Sequence, residues 1–296
     1  MISLKQIHYA LAVEKTLHFK KAAEACSVSQ SALSTALSEL EKQLDIQIFE
    51  RDNKKVLITP TGKMFLQRAQ SIKLEVDSLY QLSQNQKAPL NHPMTVGVIP
   101  TVGPYLLPKV LPALRQQYPD FKLTIIEEQS HVLVDMIRKG EIDTAILALP
   151  YPHDGLLAFE FFQEDFYWLT RNDAEQSGLD EITSTEIDQS KLMLLKDGHC
   201  LKDHALAACK LSNNEQSETL GATSLNTLIQ MVAGRMGSTL VPEMALKQIN
   251  SQSDDLKAIH LNEPGPHRRI AFLSRPNYIG VKNIECLMEV FAEELR

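Results

Sequence analysis

The chain has 296 residues, of which 44% are hydrophobic and 23% are charged, the composition of a folded globular protein rather than a disordered or fibrous one. No stretch approaches the roughly 18 apolar residues of a membrane helix, and the first residues lack the apolar core of a signal peptide, so we expect a cytoplasmic protein that does not bind membranes. In that reducing compartment the four cysteines should rest as thiols, and any disulfide would be transient.

Charge is distributed unevenly along the chain. Residues 1–87 hold 12 Lys and Arg against 9 Asp and Glu, whereas residues 88–296 hold 18 against 28. A mildly basic head on an acidic body is typical of a nucleic-acid-binding segment joined to a solvated sensor domain. A difference this small also arises by chance, so charge alone does not indicate a nucleic-acid partner.

The start of the chain contains three helix patterns. Apolar residues share one face over residues 4–12, and a second short helix is predicted over residues 19–25. Ser27 and Gln30 have the spacing of a capping box and predict the start of a third helix, whose leucines would be buried. The outer face of that helix carries short polar side chains: Gln30, Ser31, Ser34, Thr35 and Ser38. This is the pattern of a helix-turn-helix whose second helix reads base edges in double-stranded DNA, although a solvated helix in another bundle would look similar.

A basic turn follows the third helix. Arg51, Lys54 and Lys55 surround an Asp-Asn pair between two short strand patterns. Such a wing is suited to phosphate contact, and together with the helix-turn-helix it favours DNA binding.

The next segment predicts a long helix with a heptad seam. Its apolar residues recur at spacings of four and three: Phe65, Ala69, Ile72, Val76 and Leu79. About three heptads suffice for a dimerising linker beside other contacts, and the alternative is an amphipathic helix packed on its own domain.

These motifs together resemble the winged helix-turn-helix of the LysR-type transcriptional regulators. The resemblance is carried by the segments 18–23 and 29–34, Leu40-Glu41, 49–51 and 59–62. It implies a DNA-binding domain over residues 1–60, a dimerising linker helix over 61–90 and a regulatory domain over 91–296. Contacts with RNA polymerase are implied as well.

The remainder alternates between strand and helix patterns, which predicts α/β lobes built on parallel sheets. Strands are expected near residues 94–99, 121–126, 144–148, 192–195, 238–241 and 270–273. Two lobes with a cleft between them, as in periplasmic-binding-protein-like sensors, would suit a small ligand. Thr101 and Ser130 follow strand ends and are candidates for that cleft, although either hydroxyl would also serve as an ordinary helix cap.

Two cysteines, Cys200 and Cys209, lie nine positions apart in one short segment. The spacing fits neither a CxxC redox pair nor a common zinc motif. Because His199 and His204 lie beside them, a metal site made of these four residues is an alternative. The remaining cysteines, Cys26 and Cys286, are interpreted as inert packing residues.

The chain also resembles the peroxide-sensing members of the LysR-type family, in segments 99–108, 198–209, 222–225 and 239–242. This resemblance is specific, because other members of the family lack the paired cysteines. The resemblance implies that hydrogen peroxide oxidises Cys200, that Cys209 resolves the sulfenic acid, and that antioxidant genes are activated. The peroxide pocket it implies comprises Thr101, Ser130, His199, Asp203 and Arg268, with the adjacent Arg269 as a competitor. These members usually carry Thr where this chain has Ser130, and a neutral polar residue where it has His204. A homotetramer built from homodimers is also implied.

We expect Cys200 to begin a short helix over residues 201–210, where the helix N-terminus, His199 and Lys202 would favour the thiolate. A helix between the thiols would hold their Cα atoms about 13 Å apart, whereas a disulfide tolerates about 7 Å. Oxidation would therefore refold the segment. No cofactor or metal is expected. Two alternatives are a LysR-type regulator with a small-metabolite effector and, in a different class, a thiol peroxidase.

Overall fold

The computed structural model describes residues 1–52, 55–82, 89–210, 222–252 and 254–295. The chain divides into two compact units, Met1–Gln86 and Lys87–Arg296. Among the described residues, no helix is both long enough and apolar enough to cross a bilayer.

The N-terminal unit is a winged helix-turn-helix followed by a long helix. Its elements are α1 Leu4–Thr16, α2 Phe19–Ala25, α3 Gln30–Leu44, β1 Phe49–Asp52, β2 Lys55–Ile58 and α4 Pro60–Leu82. The strands β1 and β2 pair antiparallel, which confirms the predicted wing. Leu33, Leu37 and Leu40 on α3 are completely buried in the core of this unit, as their spacing predicted.

The predicted capping residue of α3 was wrong by two positions. Ser29, in extended conformation, is the N-cap, and its hydroxyl accepts a hydrogen bond from the backbone N–H of Ala32 at 3.2 Å. Ser27 instead adopts a left-handed backbone with φ of 54° in the turn before the helix. Ser27, which the capping-box spacing predicted as the N-cap, therefore belongs to the turn before the helix.

Helix α4 packs on α1, and its fully buried described residues lie in its first half. Leu66 and Ala69 are buried in the core, whereas Ile72 and Leu79 are 43% and 65% exposed. The second half of the predicted seam therefore leaves apolar side chains uncovered in the single chain. This pattern is compatible with a dimerising helix, and that role stays a prediction.

The C-terminal unit contains six further helices and nine further strands among its described residues. The helices are α5 Gly103–Gln117, α6 Ser130–Lys139, α7 Cys200–Ala208, α8 Leu225–Ala233, α9 Leu246–Gln252 and α10 Val281–Glu294. The strands are β3 Met94–Val98, β4 Leu123–Glu127, β5 Thr144–Leu149, β6 Leu157–Glu164, β7 Phe166–Arg171, β8 Glu181–Ile182, β9 Thr239–Pro242, β10 Leu256–Leu261 and β11 Arg268–Ser274.

These strands form two sheets, which define two lobes. Lobe 1 has the order β4-β3-β5-β11-β6 and lobe 2 the order β8-β10-β7-β9. The expectation of purely parallel sheets was wrong: β3 runs parallel to β4 and β5, but β11 is antiparallel to both of its neighbours. The reason is that the chain passes from lobe 1 to lobe 2 between β6 and β7 and returns between β10 and β11, so β11 enters the first sheet from the opposite end.

Sequence patterns located the lobe 1 strands better than those of lobe 2. Strands β6, β7, β8 and β10 were missed. In β6 and β10, charged residues interrupt the apolar alternation. The segment Leu192–Leu195, predicted as a strand, forms only isolated bridges to Ser238 and Ala222.

Gly62, in the first turn of α4, permits a close approach of two backbone segments. A Cβ added there would lie 2.2 Å from the carbonyl oxygen of Ile48, which cannot move aside as a side chain can. We expect Gly62→Ala to lower the free energy of unfolding of the N-terminal unit by about 1–3 kcal/mol. Gly178→Ala, where nothing lies within 4 Å, is the control and should be nearly neutral. Urea unfolding followed by circular dichroism measures both, and equal stabilities would contradict this account of the turn.

Candidate functional site

Helix α7 begins at Cys200 and ends just before Cys209, which confirms the predicted helix between the two thiols. Gly198 turns the chain into this helix with φ of 97°, a left-handed value that favours glycine. A Cβ there would lie 2.5 Å from the side-chain oxygen of Gln129. His199 is the N-cap but makes no side-chain capping bond, so the first N–H groups of the helix are free of a side-chain cap.

The Cys200 thiol is buried between the two lobes, with 3% of the residue exposed. Three groups surround it. Ser130 is the first residue of α6, the backbone of Ala148 on β5 forms a hydrogen bond with the thiol, and Arg268 on β11 supplies a positive charge. Ser130 Oγ is itself buried and makes no well-formed hydrogen bond to nitrogen or oxygen, although it lies close enough to the thiol to favour its ionised form. The site therefore assembles at the carboxyl ends of lobe 1 strands, where α/β sheets bind ligands.

Burial is the largest influence on Cys200 and raises the pKa of its thiol. The Ser130 hydroxyl, the Arg268 guanidinium and the Ala148 backbone lower that pKa, whereas Asp203 raises it. The resting form is therefore the protonated thiol.

The expectation that His199 and Lys202 supply the activating field was wrong. Lys202 turns to Asp197, with 2.7 Å between Nζ and Oδ1. His199 is neutral near pH 7, because burial lowers its pKa despite a backbone hydrogen bond with Thr223. The cation that acts on the thiol comes instead from β11, as Arg268.

Arg268 is completely buried, and its guanidinium contacts Thr101 twice. Nη1 donates to Thr101 Oγ1 at 3.3 Å, and Nη2 donates to the carbonyl oxygen of the same residue at 3.2 Å. Arg269 lies on the opposite face of the strand, 42% exposed by its side chain, and pairs with Glu160. Of the two arginines, the structure therefore brings Arg268 to the Cys200 site.

The remaining members of the predicted pocket are less closely associated. His199 Nε2 lies 3.5 Å from the Gln129 side-chain amide, at the edge of the site. Asp203 is exposed one turn after Cys200 and makes no described hydrogen bond to the thiol. Its effect on the thiol is electrostatic and opposes ionisation.

His204 anchors α7 to lobe 1. Its Nε2 donates a hydrogen bond to the carbonyl oxygen of Pro150 at 2.8 Å, and the residue is 3% exposed. Nδ1 is buried without a partner, so the neutral ring protonated on Nε2 fits the site. Burial lowers the pKa of His204 accordingly.

Cys209 is buried at the far end of α7, and burial raises the pKa of its thiol to about 11. All four cysteines are free. At about 1.5 Å of rise per residue, the helix separates the Cα atoms of Cys200 and Cys209 by about 13 Å. The next residue, Lys210, forms an ion pair with Glu263 at 3.2 Å.

The metal-site alternative is contradicted. Within the described ranges, no three or more His, Cys, Asp or Glu side chains converge as metal ligands would. The Nε2 atom of His204 is already used by Pro150, and Cys209 lies at the other end of the helix from Cys200. Cys26 and Cys286 are half-buried, and burial raises both pKa values, which fits their interpretation as unreactive.

The DNA-binding candidates lie on the outer face of α3 and in the wing. Gln30, Ser31, Thr35 and Ser38 are exposed, and Ser34 is half-buried. Lys55 on β2 is exposed as well. Lys54 and the side chain of Arg51 lie outside the described residues.

Sequence reasoning missed Glu164, the buried carboxylate that pairs with Arg268 at 2.6 Å. It is the last residue of β6, in the run Phe161-Phe162-Gln163-Glu164-Asp165-Phe166. The signal that the sequence offered for a buried charge was a carboxylate inside an aromatic stretch. The sequence did not indicate its partner, because Arg268 lies 104 positions further along the chain.

Comparison with known proteins defines the class. Residues 4–63 match the family described as bacterial regulatory helix-turn-helix protein, lysR family, and residues 87–296 match the LysR substrate binding domain. The chain belongs to the LysR family, whose members are DNA-binding transcriptional regulators rather than enzymes.

The chain is similar along nearly its whole length to two relatives and to one solved structure. The chain is 36% identical to a probable hydrogen peroxide-inducible genes activator of Streptomyces viridosporus, over 99% of this chain and 95% of that one. It is 35% identical to the HTH-type transcriptional regulator EstR of Acinetobacter baylyi, over 92% and 90%. A full-length OxyR variant from Pseudomonas aeruginosa superposes with a TM-score of 0.80 at 32% identity, over 99% and 98%.

Acidification should destabilise the C-terminal unit. Burial lowers the pKa values of His199, His204 and His267 in the folded state, so the unfolded chain binds more protons below about pH 6.5. Stability contributed by these neutral rings is present above that pH and is lost as pH falls further. Urea unfolding between pH 7.5 and 5.5, followed by the fluorescence of the single tryptophan, buried Trp168, measures the slope.

The variant His204→Asn should reduce that slope, whereas His131→Asn, an exposed position on α6, should leave it unchanged. A wild-type stability that is flat over this range would contradict the assignment of buried neutral histidines.

Proposed function

We propose that the chain is a transcriptional activator that senses hydrogen peroxide through reversible oxidation of Cys200 and Cys209. The observation that carries the proposal is a buried thiol at the start of a helix that ends at a second thiol, beside Thr101, Ser130 and Arg268. The names of the Streptomyces relative and of the OxyR structure support peroxide as the effector.

Oxidation proceeds in two balanced steps. The sulfur of Cys200, as thiolate, attacks one oxygen of the peroxide, and the O–O bond breaks. The sulfur becomes a sulfenic acid. The second oxygen leaves as water after taking up a proton. Cys209 then attacks the sulfenic sulfur, an S–S bond forms, and the hydroxyl departs as a second water with the proton of the Cys209 thiol. Two thiols and one peroxide thus give one disulfide and two waters.

The residues around Cys200 have defined parts in the first step. In this proposal the Arg268 guanidinium and the Thr101 hydroxyl, which are hydrogen-bonded to each other, polarise the peroxide and stabilise the departing hydroxide, and Ser130 supports the thiolate. His199 borders the site as a neutral ring, and Asp203, at the exposed end, acts on the thiol only through its charge. Because burial holds the pKa of Cys200 high, entry of peroxide must offset some of that burial.

The second step requires α7 to unwind. A disulfide tolerates a Cα separation of about 7 Å, whereas the helix holds the two cysteines about 13 Å apart. Refolding would release the hydrogen bond from His204 to Pro150 and the ion pair between Lys210 and Glu263. These contacts join α7 to lobe 1 and to the loop before β11, so their loss alters how the lobes pack and offers a route to the DNA-binding unit.

We assign DNA reading to residues 1–60, dimerisation to the helix within 61–90 and sensing to 91–296. The exposed face of α3 would read the major groove, and the basic wing would contact phosphates. The exposed apolar residues of α4 support a homodimer, from which a homotetramer on promoter DNA would be assembled. Contact with RNA polymerase and a cytoplasmic location complete the proposal.

A small-metabolite effector remains the second candidate, favoured by the 35% identity to EstR, whose name mentions no peroxide. In that case the thiols would be incidental, and a ligand would bind between the lobes. The response of a Cys200 variant separates the two candidates.

Cys200→Ser should abolish the transcriptional response to peroxide, because no other described thiol occupies the site, while promoter binding persists. Cys209→Ser should leave a sulfenic acid on Cys200, trapped by dimedone and detected by mass spectrometry, and should weaken the response at least tenfold. A promoter reporter in cells lacking the native regulator measures both.

The control is Cys286→Ser, at a half-buried cysteine on α10 away from α7, which should respond as the wild type does. A normal peroxide response of Cys200→Ser would contradict the proposal and favour a metabolite effector.

A further inference from the structure

Glu164 and Arg268 lie side by side on neighbouring strands of the lobe 1 sheet. They are partners in the register of β6 and β11. Arg268 Nε donates to Glu164 Oε1 at 2.6 Å, and both side chains are completely buried. Each charge therefore depends on the other, because an unpaired charge at this depth is costly.

The second carboxylate oxygen connects this pair to lobe 2. Glu164 Oε2 accepts a hydrogen bond from the backbone N–H of Met244 at 2.9 Å. Met244 lies just after β9, which belongs to the lobe 2 sheet. The carboxylate thus holds the guanidinium on one side and the lobe 2 backbone on the other.

The remaining donors of the guanidinium are directed to Thr101. Because Nε is bound by Glu164, only Nη1 and Nη2 are left, and both reach Thr101. Arg268 also lowers the pKa of the Cys200 thiol, so its field reaches the sulfur. A carboxylate within 2.6 Å cancels much of that field, since opposite charges this close act together as a dipole.

We propose that Glu164 is a positioning residue for the Cys200 site: it fixes the Arg268 guanidinium against Thr101 and, by offsetting its charge, keeps Cys200 in the less reactive thiol form. This inference rests on the proposed function, since it concerns the residue that peroxide would oxidise. It gives the buried pair a role beyond stability, as the element that sets how readily the sensor reacts.

The variant Glu164→Gln tests the charge with little change of shape. Removing the carboxylate leaves the guanidinium uncompensated, so the thiolate of Cys200 is favoured. The rate of Cys200 alkylation by iodoacetamide, measured peptide by peptide with mass spectrometry from pH 6 to 10, should shift to lower pH. At pH 7 the rate should rise about tenfold, which corresponds to one pKa unit.

Glu160→Gln is the matched control. Glu160 lies on the same strand and pairs with Arg269 at the same distance of 2.6 Å, but its side chain is 36% exposed. Its pH profile should coincide with that of the wild type. If the Glu164→Gln profile also coincides with the wild type in a folded protein, the proposal is overturned.

A second background keeps the test decisive if Glu164→Gln fails to fold. Arg268→Gln alone leaves the carboxylate unpaired and should move the alkylation profile to higher pH, whereas Arg268→Gln combined with Glu164→Gln should return it close to the wild type. Replacing both partners of a buried pair is better tolerated than replacing one. A double variant that reacts as Arg268→Gln does would overturn the proposal.

Oxidation by stoichiometric hydrogen peroxide provides the separate readout for the proposed function. If wild-type Cys200 is alkylated but not oxidised by peroxide, peroxide sensing is wrong while the role of Glu164 is still decided by the alkylation profiles. If oxidation of Cys200 occurs and the alkylation profiles do not differ, only the role of Glu164 is wrong.

Discussion

The buried pair of Arg268 and Glu164 is the interaction on which the rest of the C-terminal unit depends. Neither side chain touches solvent, so each buried charge is compensated by the other. The guanidinium is held at the start of β11, and its remaining donors are directed to Thr101. The carboxylate accepts a hydrogen bond from a backbone N–H of lobe 2. The position of the charge beside Cys200 therefore follows from how the two lobes meet.

Two constraints act on the cysteine itself. Burial favours the thiol over the thiolate, and the helix that begins at Cys200 holds Cys209 out of reach. The first constraint limits how easily an oxidant reacts, and the second makes completion of the reaction conditional on a change of shape. In the proposed mechanism, a sensor built this way converts a chemical event into a conformational one, because no disulfide can form while α7 keeps its contacts.

Periodic and local features of this chain could be predicted from its sequence. The leucines of α3, the wing and the helix between the two cysteines are encoded by spacing and by single residues such as Gly198. The cation that acts on Cys200 could not be predicted from neighbouring residues in the sequence. Lys202 forms an ion pair with Asp197 instead, and the cation beside the thiol is Arg268, on a strand distant in the sequence. Strand β6 carries the partner of that cation, yet its alternation is broken by charged residues, so both strand and partner were missed.

The order of strands in lobe 1 has a consequence for biosynthesis. Strand β11 lies between β5 and β6 in the sheet, but the whole of lobe 2 separates it from them along the chain. A ribosome therefore releases the helix-turn-helix unit, most of lobe 1 and all of lobe 2 before β11, the interior strand that carries Arg268, emerges. Because domains begin to fold during synthesis, the DNA-binding end can be folded while the site around Cys200 is still incomplete. A nascent chain can thus have a folded helix-turn-helix unit before the surroundings of Cys200 are complete.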